Sequence, residues 1–144
     1  MKRLIHRAWR RVHEPRTVAI AQTLIYVAFA YGAFTALVDP PRTVEGAIGE
    51  SSMMTLAIML LFGGLLGAPS ALLGAWRWER VAMLPTGLAT VLYGLIIFSL
   101  NITQSGNRQL QLMMVVTVFL QHIIRWRRIR QRPFDPGRPP RRTA

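Results

Sequence analysis

The chain contains no cysteine. Disulfide staples, thiol nucleophiles, iron–sulfur ligation and zinc–thiolate sites are excluded at once. Acidic residues are scarce, six against eighteen basic ones, and only one of those eighteen is lysine. Such dominance of arginine is a compositional mark that a GC-rich coding genome leaves. The most informative gap concerns where charge is missing. No Asp, Glu, Lys or Arg falls within residues 17–38, 52–76, 81–100 or 109–124. Ion-coupled transporters and proton pumps usually bury a carboxylate or a basic residue at membrane depth, so those classes lose support. His6, His13 and His122 lie in separate regions, with no carboxylate cluster, Ser-His-Asp arrangement, phosphate loop or metal-ligand spacing around them. The sequence points away from an enzyme, and nothing in it calls for a cofactor, a metal or a small-molecule substrate.

What is present is a segregation of residue classes. Half of the 144 residues (51%) are hydrophobic, beside a formal charge of +12. Four apolar stretches of roughly 20 residues each match a hydrocarbon core of ~30 Å. Six basic residues precede the first stretch: Lys2, Arg3, Arg7, Arg10, Arg11 and Arg16. Arg77 and Arg80 lie between the second and third, and eight arginines from Arg125 to Arg142 follow the fourth. The other two gaps hold one each, Arg42 and Arg108. Short loops rich in Lys and Arg stay on the cytoplasmic side during insertion. This pattern predicts an all-α integral membrane bundle of four spans, with both termini in the cytoplasm. The expected organisation is a basic segment over 1–16, a membrane domain over 17–126 and a disordered Arg/Pro-rich tail over 127–144. The spans are placed at about 17–38, 52–76, 81–100 and 109–126.

Details along the chain sharpen this reading. In residues 2–13, Leu4, Ile5, Ala8, Trp9 and Val12 recur at helical spacing. The segment is either a helix lying in the headgroup region or a basic leader that only sets orientation. Ala28, Phe29 and Ala30 have the small-x-small form of a signal-peptide cleavage site, but the apolar run continues to Val38, which suits a retained helix better. Asp39, Pro40 and Pro41 end the first span, and residues 43–49 fit a short interfacial turn. Pro69 frees a carbonyl one turn back and is expected to kink the second span. Trp76 to Arg80 reads as a cytoplasmic turn carrying an aromatic belt, and Pro85 as a first-turn proline of the third span. The fourth span is the weakest: its 16 residues to Ile124 cover roughly 24 Å, and Arg108, Arg125 and Trp126 must close the gap.

Two constellations stand out. Small residues at spacing four form ladders on three spans: Ala28, Gly32 and Ala36; Gly63, Gly67, Ala71 and Ala75; Thr86, Thr90 and Gly94. Such faces let helices approach closely in lipid, either within one bundle or between copies. The fourth span carries a polar stripe. At about 100° per residue, Arg108, Gln111, His122 and Arg125 share an arc of about 100°, with Gln121 beside them. That stripe suits a pore-lining or proton-sensing face, or else a packing face near the interface. Arg125, Arg127, Arg128, Arg130 and Arg132 are expected to contact anionic lipid headgroups, and with topology explaining the charge, no nucleic acid is expected as partner.

The loop from Pro41 to Gly49, the turn from Trp76 to Arg80, and the stretch from Gly87 to Gly94 with Tyr93 carry a resemblance. Together they resemble small four-span membrane proteins of actinobacterial bacteriophages, often found near lysis genes and described as holins or simply as membrane proteins. The resemblance covers the middle of the chain, about residues 41–100. It implies a protein of the bacterial cytoplasmic membrane that accumulates, self-associates and permeabilises the bilayer during phage lysis. A different class stays open beside it, an accessory subunit or anchor whose helix faces and basic tail dock a partner complex.

Overall fold

A backbone surrounded by lipid must satisfy its amides within its own segment, and this chain does so by being helical. The computed structural model describes residues 16–104 and 106–131. Five helices follow one another: α1 Arg16–Val38, α2 Arg42–Ile48, α3 Glu50–Leu73, α4 Trp76–Thr103 and α5 Gln109–Gln131. The all-α expectation holds among the described residues. Three helices, α1, α3 and α4, are long and apolar enough to cross a membrane, whereas α5 is not in that group. The segment at 2–13 and the tail from Arg132 onward, both subjects of expectations above, lie outside the described residues.

Successive long helices run antiparallel. Thr23 of α1 donates to the Ala68 carbonyl of α3 at 3.4 Å, and Gly64 of α3 faces Ala30 one turn further along. A Cβ added at Gly64 would lie 2.7 Å from the Ala30 nitrogen and the Tyr26 carbonyl oxygen, so only hydrogen fits there. Gly67 meets the Tyr26 ring, and Gly63 meets Thr86 of α4. The α3 ladder of Gly63, Gly67 and Ala71 is therefore used inside the molecule, seated against α1 on one side and α4 on the other. Tyr26, Ala71, Met83 and Ile129 make one core cluster. Val44, Met53, Ile97 and Leu100 make the other, under α2, which caps the opposite end.

Three boundaries differ from the sequence reading. Gly74 takes the left-handed conformation (φ 66°) and stops α3 at Leu73 rather than near Trp76. Trp76 to Arg80 is consequently the first turn of α4, not a loop. Pro85 then sits in the third turn of α4, where it leaves the Val81 carbonyl without its helical donor. Pro69 lies inside α3, which continues for four residues beyond it. Finally, α5 runs to Gln131, so residues 127–131, expected in the disordered tail, are helical, and its 23 residues span roughly 35 Å at ~1.5 Å per residue.

Candidate functional site

The most heavily buried charges in the described chain belong to Glu79 and Arg125, 0% and 2% exposed. Arg125 donates from Nε to Glu79 Oε1 at 2.7 Å and from an Nη to Oε2 at 2.8 Å, a two-point fork. The geometry follows from the helix starts. Because α4 begins at Trp76, Glu79 lies on the helix face turned toward α5, three residues in. Tyr26 of α1, wholly buried, brings its hydroxyl within electrostatic reach of both charges and beside Gln22. Arg80 sits at the rim and donates to the Ile129 carbonyl at 3.4 Å.

One turn deeper, His122 Nε2 lies 3.0 Å from the Thr86 hydroxyl, and Nδ1 lies 3.2 Å from the Val118 carbonyl. A carbonyl only accepts, so Nδ1 carries a proton. A neutral ring then accepts the Thr86 hydroxyl at Nε2. A doubly protonated ring donates instead, and Thr86 passes its own hydrogen to the Ala82 carbonyl, 3.0 Å away. The contact survives in both forms. The Phe29 ring of α1 closes over the imidazole at 5.5 Å between centroids.

Toward the other end, Gln111 donates to the Tyr93 hydroxyl at 2.7 Å. The Arg108 amide donates to Asn101 Oδ1 at 3.0 Å, and its guanidinium donates to Gln104 at 3.1 Å. The stripe read from the sequence is thus a seam: Arg108, Gln111, His122 and Arg125 each find a polar partner on α4 or in the turn that follows it. Gln121 does not join them; it is exposed.

This placement revises one expectation. Arg125 does not face headgroups, because Glu79 turns it inward. Arg127 and Arg130 are exposed and Arg128 half-buried, at the end of α5. Glu79 is the residue the sequence reading missed. Its signal was available in the spacing of Glu79, Thr86 and Tyr93, seven apart and so on one helix face.

The three small-residue ladders meet different fates. Those of α3 and α4 are largely enclosed; Thr86 and Thr90 are buried, and Gly94 lies against Val115. On α1, Ala28 and Gly32 are exposed, Ala36 is half-buried, and nothing stands within 4 Å of a Cβ built at Gly32. Gly32 and Ala36 border an apolar cleft of about 340 Å³, which Met114, Val115 and Val118 of α5 line from the far side. No group of three His, Asp or Glu able to hold a metal occurs among the described residues.

Polar groups thus collect inside, at Gln22, Glu79, Thr86, Thr90, His122 and Arg125. The outside carries Leu24, Tyr31, Phe34, Phe62, Leu65, Leu84, Leu95 and Met114, among other exposed apolar side chains. A monomer in water rarely exposes so continuous an apolar surface. Fold and surface together define an all-helical protein of membrane type. No known protein family, curated protein or solved structure matches the chain.

Proposed function

We propose that this chain is a non-enzymatic membrane protein of four spans that acts by lateral self-association, in the holin-like manner its sequence resembles. Its setting is the cytoplasmic membrane of a bacterial host, with both termini inside. The observation that carries the association is the contrast among ladders: two are spent on the chain's own helices, while the α1 face at Ala28 and Gly32 is left open.

The fourth crossing rests on the seam. With Arg125 neutralised by Glu79, the stretch from Gln109 to Trp126 is 18 residues, roughly 27 Å, close to the ~30 Å core. Orientation follows from the antiparallel order, which gathers Arg16, Arg77, Arg80, Arg127, Arg128 and Arg130 at one end. Asp39, Glu45 and Glu50 gather at the other. The basic end is the cytoplasmic one, where exposed arginines meet anionic headgroups. Because the polar stripe faces α4, a single copy offers no polar path, and permeability requires several copies.

Regulated expression in bacteria carrying a potential-sensitive dye tests this function. The expected result is abrupt depolarisation past a threshold of accumulated protein, delayed or abolished in Gly32→Leu. High accumulation with no depolarisation would refute it. The apolar cleft between α1 and α5 favours a second reading, an accessory subunit whose partner's helix occupies that cleft; a stoichiometric partner recovered in detergent would support it.

A further inference from the structure

α5 differs from the other long helices in one respect that its position alone does not explain. It is not apolar enough to be a span by composition. Yet the three polar side chains of α5 that face α4 each meet a polar group there: Arg125 meets Glu79, His122 meets Thr86 and Gln111 meets Tyr93. These partners, Glu79, Thr86 and Tyr93, belong to a helix that is itself a candidate span. Up to Ile124 the remaining α5 surface is mostly apolar, with Leu110, Met113, Met114, Leu120 and Ile124 exposed beside the polar Gln109, Thr117 and Gln121.

We infer that α5 is a conditional span: it crosses the bilayer only as the docked partner of α4, whose Glu79, Thr86 and Tyr93 make the crossing tolerable. This inference rests on the four-span reading and adds a cause to it. An arginine, a histidine and a glutamine carried alone into the hydrocarbon would each oppose insertion. The tail arginines favour retention of the carboxy-terminal end inside, but they do nothing for groups already within the apolar layer. A pre-inserted α4 presents an acceptor or hydroxyl for each at the right depth. Without those partners, α5 would be left on the outer side.

The absence of cysteine gives a blank background for the test. Single cysteines at Gln104→Cys and Arg130→Cys, both exposed positions, are labelled in intact cells with an impermeant maleimide. Labelling is read in pulse-labelled full-length chains, before any degradation. In the parental chain Gln104→Cys should label and Arg130→Cys should not. Glu79→Leu, Thr86→Val and Tyr93→Phe together should raise labelling of Arg130→Cys about tenfold or more, the scale of an insertion cost of this kind. Adding Gln111→Leu, His122→Leu and Arg125→Leu should return it to the parental level, since the stripe no longer needs partners. If Arg130→Cys stays protected in the triple variant, the inference is overturned while the four-span reading survives. If the two sites label alike in the parental chain, the four-span reading itself falls.

Discussion

Two of the interfaces in this bundle work by opposite means. Between α1 and α3 the contact is made of what is absent: Gly64 and Gly67 remove side chains so that backbone and the Tyr26 ring can close in. Between α4 and α5 the contact is made of polar groups meeting polar groups, from Glu79–Arg125 through Thr86–His122 to Tyr93–Gln111. In lipid, apolar side chains gain nothing from leaving their solvent, so helices must associate by close packing or by hydrogen bonds. The chain assigns one solution to each pair. The first suits apolar helices that insert unaided; the second suits a helix with too many polar residues to insert without company.

The contrast can be broken most severely at the ion pair. Glu79→Leu takes the forked carboxylate away from the buried Arg125 guanidinium and should cost about 3–5 kcal/mol in thermal unfolding in detergent. Glu79→Leu with Arg125→Leu should recover most of that loss, because a buried pair adds little over apolar residues of similar volume. A double variant no better than the single would show that the pair is not what the seam depends on.

A smaller effect is expected at the glycine interface. Gly64→Leu forces a side chain into backbone atoms 2.7 Å away and should cost about 1–3 kcal/mol. Gly32→Leu, with nothing within 4 Å of its Cβ, should leave unfolding unchanged while weakening cross-linking between copies in membranes. Loss of stability in both would mean that the α1 face is not open. Smaller than the Gly64→Leu cost is that of Thr86→Val, which removes one hydroxyl from His122 and should cost about 0.6 kcal/mol, typical of a single polar contact between membrane helices.

Much of the architecture was legible from charge and hydropathy, because each long helix begins and ends near a break that the sequence marks, such as Asp39 and the two prolines after it. The stripe on α5 was legible too, since it needs only helical periodicity. Its partners were not. Reading Trp76 to Arg80 as a loop made Glu79 a surface residue, and only the left-handed Gly74 places it on a helix face. Likewise, spacing-four ladders cannot reveal which helix they meet. Gly64, the tightest backbone approach, belongs to no ladder in the sequence, since its necessity comes from Ala30 and Tyr26 on another helix.

The most direct test of the account asks whether α5 lies antiparallel along α4 in a membrane. Gly94 and Val115 are suited to it, since a Cβ at Gly94 would come within 3.1 Å of the Val115 side chain, inside the reach of a disulfide. A chain carrying Gly94→Cys and Val115→Cys, with a protease site inserted after Gln104, is oxidised in native membranes and then cleaved. The account predicts that the two halves remain joined until a reductant is added, at every expression level. Halves that separate after oxidation, or that join only between different copies, would contradict it.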